Sequence, residues 1–177
     1  AQSFSPDNKV DDLYGHGTHV AGIIGGNGAM SNGTYKGVAP GVNLLNLKVA
    51  DKDGMTYESD MVDAMQWVYN NKATYNIRVI NLSLGGPVEQ SYKDDPLCEA
   101  VERAAHAGIV VVAAAGNEHA SEPTRPAKCQ NVIGVAALNR DGFKTTYSNF
   151  GPLLTVATVG GDDSDGAWGG RVADSGV

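Results

Sequence analysis

No apolar run among the 177 residues approaches the ~20 that a membrane-spanning helix needs. A basic segment followed by an apolar one is also missing at the N-terminus, so no secretory signal pattern is visible and the chain reads as soluble, with no membrane partner. Positive charge is scarce: 13 Lys and Arg stand against 20 Asp and Glu, a formal net charge of −7. A nucleic-acid surface needs clustered cations to neutralise phosphates, so nucleic acid is excluded as a partner, and the acidity serves solubility. Only two cysteines occur, Cys98 and Cys129, without C-x-x-C spacing. That argues against a zinc ribbon or a thioredoxin-type redox pair and leaves either one disulfide or two buried thiols. There is no internal repeat, and the 23 glycines follow no G-x-y period, which sets aside collagen-like and disordered readings.

With 42% hydrophobic and 19% charged residues, the chain is long enough to bury one core and too short for two comfortable domains, so residues 1–177 read as one domain. Residues 42–49 (VNLLNLKV) follow Pro40-Gly41 and have the character of a buried strand. A helix is predicted over 58–72, with Met61, Val62, Met65, Trp67 and Val68 at roughly helical spacing and Ser59 as a cap near its start. Residues 77–84 (IRVINLSL) return to strand character. Asp95-Pro96 opens a second helix that runs to Gly108, a suitable residue just past a helix end. Strands are predicted at 109–114, 131–137 and 153–157, and a loop rich in Gly and Asp at 160–170. Strands alternating with helices imply right-handed crossovers and a sheet covered by helices. The fold class is α/β, three-layer, with a mostly parallel central sheet and helices on both faces.

Three strings carry chemistry. In Gly15-His16-Gly17-Thr18-His19-Val20-Ala21-Gly22 an imidazole stands between glycines at a helix start, free to approach a substrate as a general base. In residues 110–117 (VVVAAAGN) a buried strand ends at Asn117, whose amide can donate to a developing oxyanion. A turn role is the plainer alternative, since Gly-Asn is a common turn pair. Between them Asn81-Leu82-Ser83-Leu84-Gly85-Gly86 offers a strand end along which an extended peptide can pair. His19 lies three residues from His16, but no third ligand has the spacing of a zinc site. His106 and His119 are assigned to solvent or local hydrogen bonds. The glycines between Gly22 and Gly28 lack the lysine of a P-loop and do not spell G-x-G-x-x-G, so a nucleotide-binding α/β domain has no motif here.

In this order and spacing, with Gly37-Val38-Ala39-Pro40 and Tyr147-Ser148-Asn149-Phe150-Gly151 added, the strings resemble the subtilisin family of serine peptidases, the subtilases, and most nearly its secreted bacterial members. The resemblance implies a serine endopeptidase that cleaves peptide or protein substrates by acyl transfer, secreted, acting as a monomer, with no cofactor needed for the chemistry. It implies His16 as the catalytic base and Asn117 as the oxyanion donor. Ser83, Leu84 and Gly85 fall on the strand that binds substrate backbone, and Ala114, Ala115 and Gly116 on the wall of the primary specificity pocket. A structural calcium ion is implied as well, with the loop of Asp162, Asp163 and Asp165 as its candidate. So is a Cys98–Cys129 disulfide, which would close a loop near thirty residues and stabilise by roughly 3 to 4 kcal/mol.

The chain departs from the family pattern at two strings. The family's aspartate sits in an Asp-(Ser/Thr)-Gly turn upstream of the histidine, where this sequence offers only Asp7, Asp11 and Asp12 in other contexts. The family's serine sits in a Gly-Thr-Ser-Met-Ala string, which does not occur here. The expectation is a partial catalytic domain, incomplete at both ends and inactive alone, with a non-catalytic peptide-binding module as the alternative. Asp174-Ser175-Gly176 spells the aspartate turn at the wrong end. A circular permutation would produce that, and truncation at both ends is the simpler account.

Overall fold

The computed structural model describes residues 1–86 and 94–161. The chain forms two compact units, Ala1–Ala64 and Met65–Val177. Each has its own sheet, and every strand pairing within both sheets is parallel.

In the first unit β1 (Gln2–Ser3) pairs with β2 (Leu47–Lys48), and α1 (His16–Gly25) and a single 3-10 turn (Ala29–Ser31) lie between them in sequence. The strand predicted over 42–49 forms only at these two residues. A ladder extends no further than its partner, β1 presents two residues, and Val42, Leu44 and Leu45 are left exposed. The last turn of α1 finds partners for its carbonyls in the segment that follows: Gly37 N–H donates to Gly26 O (2.8 Å), Val38 N–H to Ile23 O (2.9 Å) and Ala39 N–H to Ile24 O (2.7 Å). Glycine is required at 37, because a Cβ there would stand 2.6 Å from Gly26 N and 2.8 Å from Gly22 O.

Helix α2 (Glu58–Tyr75) runs one turn beyond its predicted end and buries Met61, Ala64, Met65 and Val68, an i, i+3, i+4, i+7 stripe. Ser59 lies inside the helix rather than capping it, and its hydroxyl donates to Asp60 Oδ1 at 3.3 Å. Glu58 and Asp60 place negative charge in the first turn, where the helix dipole favours it.

The second unit holds a four-stranded sheet in the order β3 (Val79–Leu82), β4 (Val110–Ala114), β5 (Val132–Leu138), β6 (Val156–Val159). Helix α3 (Pro96–His106) forms the crossover from β3 to β4 and packs on β4 and β5 through Leu97, Cys98, Ala100, Val101 and Ala104. Asp95 is its cap: the carboxylate accepts from Leu97 N–H (2.9 Å) and Cys98 N–H (3.1 Å), and Pro96 fills the first turn, where a missing N–H costs nothing. Gly108 takes φ +81° just past the helix end. Cys98 and Cys129 are joined in a disulfide with Cα atoms 5.2 Å apart, which ties the first turn of α3 to the approach to β5. The last strand starts three residues later than predicted. Leu154 first turns back on Gly151, Thr155 N–H bonds Gly134 O, and only then does Val156 pair with Val135. Parallel strands linked by a helical crossover are the α/β class read from the sequence.

Candidate active site

Within the first unit, the sequence Asp12-Leu13-Tyr14-Gly15 builds the entry to α1. Gly15 takes φ +92°, a left-handed conformation that glycine adopts without strain, and the helix starts at once with His16. The carboxylate of Asp12 accepts from Gly15 N–H (2.7 Å), Thr18 N–H (2.7 Å) and the Thr18 hydroxyl (2.7 Å). It thereby does from outside the helix what a capping side chain does from its start. Burial pushes the Asp12 carboxyl up, but the Thr18 hydroxyl, the Gly15 and Thr18 amides and the charge of His16 outweigh it and hold the carboxyl below its ordinary range. His16 is half-buried on this fixed turn, and His19 is exposed one turn further on. Asp12, set aside in the sequence because it stands in no Asp-(Ser/Thr)-Gly turn, is therefore the residue that fixes the backbone around His16. Its signal was the spacing D-x-x-G ahead of a helix start.

Within the second unit, the C-terminal ends of the neighbouring strands β3 and β4 carry the other candidates. Crevices at such strand ends are where open α/β sheets bind ligands. Ser83, Leu84 and Gly85 leave β3, with the Ser83 hydroxyl accepting from Asn81 Nδ2 at 2.9 Å. Gly86 then makes a reciprocal pair with Arg125, N–H to O at 3.1 and 3.2 Å. Ala114 ends β4. Ala115 donates to Val135 O (2.9 Å) and accepts from Thr124 N–H (2.8 Å). Gly116 takes φ +104°, and Asn117, Glu118 and His119 follow on an exposed loop.

Thr124 and Arg125 join the segments around residues 85 and 115. A Cβ at Gly85 would stand 2.5 Å from Thr124 Oγ1 and 2.7 Å from Arg125 O, and one at Gly116 would stand 2.8 Å from Thr124 Cγ2. Both glycines therefore make room for this wall. Gly85, Gly86, Ala115 and Gly116 thus meet residues 124–125, which no sequence signal marked, with Ser83 and Leu84 leading into the first pair and Ala114 and Asn117 flanking the second in sequence.

The chain that carries these strings matches the Subtilase family model over residues 2–175. The chain belongs to the subtilase family. Among its subtilase relatives, the thermostable alkaline protease of Halalkalibacterium halodurans is 35% identical over 161 residues, 90% of this chain and 42% of that protein. Subtilisin E of Bacillus subtilis is 38% identical over 165 residues, 89% of this chain and 40% of that protein. Of the solved structures, a cold-adapted subtilisin-like serine proteinase superposes with a TM-score of 0.72 at 32% identity, covering 89% of this chain and 55% of that one. Sphericase superposes with a TM-score of 0.73 at 29% identity, covering 85% and 51%. The chain spans about two-fifths of the length of the curated relatives it matches and about half that of the solved subtilases.

Among the described residues, no three His, Cys, Asp or Glu side chains gather as a metal site, and no helix is long and apolar enough to cross a membrane. Asp162, Asp163 and Asp165, the calcium candidates, lie outside the described residues, as do Asp174, Ser175 and Gly176.

Proposed function

We propose that the protein to which this chain belongs is a serine endopeptidase and that residues 1–177 are part of its catalytic domain. His16 takes the proton of an attacking serine hydroxyl as its oxygen bonds to the scissile carbonyl carbon. The carbonyl oxygen becomes an oxyanion, which the Asn117 amide stabilises, and His16 returns the proton to the leaving amine as the C–N bond breaks. The substrate lies extended along Ser83, Leu84 and Gly85, with one side chain directed at the wall of Ala114, Ala115 and Gly116. These 177 residues contain no Gly-Thr-Ser-Met-Ala string, so the proposal includes negligible turnover by this stretch alone.

What supports the reading is that Gly85, past the end of β3, and Gly116, past the end of β4, both face Thr124, with the exposed Asn117 next in sequence, at strand ends of the kind where open α/β folds bind ligands. A buried disulfide suits an oxidising compartment, in keeping with a secreted enzyme. The proposal includes a monomer, acting on peptide or protein substrates, with no cofactor in the chemistry and calcium in a structural role only.

The test is labelling of the full-length protein with a fluorophosphonate probe, followed by peptide mapping. The proposal expects one labelled serine, lost on prior alkylation of His16 by a peptide chloromethyl ketone. No label on a protein that binds peptide would replace the peptidase with a peptide-binding module.

A further inference from the structure

Asn149 is 1% exposed, and every hydrogen-bonding group of its carboxamide is used within one short segment of chain. Nδ2 donates to Ala115 O (3.1 Å) and to Glu118 Oε2 (2.7 Å). Oδ1 accepts from Glu118 N–H (3.0 Å) and Ala120 N–H (2.9 Å). Its main-chain N–H adds a bond to Gly116 O (3.0 Å). All five bonds land on residues 115–120, on both sides of Asn117 and none on Asn117 itself. The fit is close: a Cβ at Gly116 would stand 2.5 Å from Asn149 Nδ2, so the bare Cα of Gly116 admits the amide.

Asn149 is itself anchored on β5. The buried Ser148 hydroxyl accepts from Ala137 N–H (2.9 Å) and donates to Asn149 O (2.9 Å), and Ser148 N–H donates to the buried Thr145 hydroxyl (3.2 Å). A rigid strand is thus linked, through a fully satisfied buried amide, to a loop that is exposed from Asn117 to His119. Exposed loops are mobile by default, whereas an oxyanion donor is useful only if it is already in place when charge develops.

The geometry points to Asn149 as a positioning residue for the proposed peptidase reaction: it holds the loop on either side of Asn117 so that the Asn117 amide meets the oxyanion without reorganising. The inference rests on the oxyanion role proposed for Asn117. Asparagine is the residue the site demands. Aspartate would lose both donors and set a carboxylate against that of Glu118, and an aliphatic side chain would leave the amides of Glu118 and Ala120 without their acceptor.

The test is steady-state hydrolysis of a peptide amide by the full-length protein carrying Asn117→Ala, Asn149→Ala and both together, with thermal unfolding confirming that each is folded at the assay temperature. Asn117→Ala is expected to lower kcat by about 10² to 10³. Asn149→Ala is expected to lower kcat at least ~10-fold with KM within about twofold, because it removes a transition-state interaction rather than uniform binding. In the Asn117→Ala background the same change is expected to alter kcat less than about twofold, since residues that act as a unit are not additive. Equal losses in both backgrounds would reduce Asn149 to a structural residue and overturn the inference. An unchanged kcat in Asn117→Ala would instead sink the oxyanion reading beneath it. Should Asn149→Ala not fold, Glu118→Gln tests the same device by giving Asn149 Nδ2 a neutral acceptor. A few-fold loss of kcat that disappears in the Asn117→Ala background supports it, and no loss in either background overturns it.

Discussion

The carboxylate of Asp95 and the guanidinium of Arg125 meet at 2.6 Å with their side chains 0% and 9% exposed, joining the start of α3 to the segment that pairs with Gly86. The two ends of this pair are not equivalent. Asp95 also caps α3 through Leu97 and Cys98, so its loss removes a cap and leaves a buried cation without its carboxylate, whereas loss of Arg125 leaves a carboxylate that still accepts two amides. Asp95→Ala is therefore expected to destabilise the second unit by about 3 to 5 kcal/mol. Arg125→Met, which keeps the aliphatic volume, should cost less. Urea unfolding of both variants checks the order; equal costs would mean that the cap contributes nothing beyond the ion pair.

The same two segments are joined a second time by the disulfide, whose residues lie 31 apart. Closing a loop of that length constrains the unfolded chain by roughly 3 to 4 kcal/mol. Replacing Cys98 and Cys129 together by alanine should lower stability by about that amount and leave an existing peptidase activity largely intact below the new melting temperature. A shift under about 1 kcal/mol would show that other contacts already order this loop in the unfolded ensemble.

How far these features could be read in advance varied with their range. Helix α3 was legible because its signals are local: Asp95-Pro96 at one end, Gly108 at the other, and a continuous apolar stripe between. The stretch 42–49 misled because apolar character records that residues can pair, not how many partners face them, and β1 supplies only two. His16 and Asn117 stood out through the strings around them. Asp12 did not, because its local D-x-x-G spacing was passed over for the family's Asp-(Ser/Thr)-Gly turn, and Thr124 did not, because the glycines it meets, 85 and 116, are brought to it by the fold.

Acid should loosen the first unit before neutral surface changes do. Lys48 donates to both oxygens of Asp7 at 2.8 and 3.0 Å, linking the segment that follows β1 to β2, and with the Ser5 hydroxyl and the Lys9 amide it holds the Asp7 carboxyl far below the usual carboxylate range. A depressed carboxyl stabilises the fold at pH values above its unfolded pKa of about 3.9 and loses that contribution as pH falls through the folded value. Asp7→Asn should therefore be less stable than the parent at pH 6, with the gap closing as pH falls below about 4. A gap that stays constant down to the lowest pH at which the chain folds would show that the Asn carboxamide is at fault, not the lost charge.

Gly116 is where backbone strain and catalysis are expected to meet. Its φ of +104° is open to glycine and costly to any residue with a Cβ, and the added carbon would also press on Asn149 Nδ2 and Glu118 Oε2, each 2.5 Å from the position it would take. Two responses are open to Gly116→Ala. The backbone can keep its course, in which case the strain appears as lost stability of about 1 to 3 kcal/mol. It can instead shift away from Asn149, in which case stability is partly kept and Asn117 leaves its place. Because Gly116 immediately precedes Asn117 on an exposed loop while Asn149 is held from β5, the loop is the softer partner. The expected outcome is a loss of kcat on the order of 10²-fold with a smaller loss of stability, as when an oxyanion donor is removed. Parallel measurement of kcat and of the urea midpoint in the full-length protein separates the two: a large stability loss with kcat preserved would place the yielding element in the Ser148–Asn149 anchor instead of the loop.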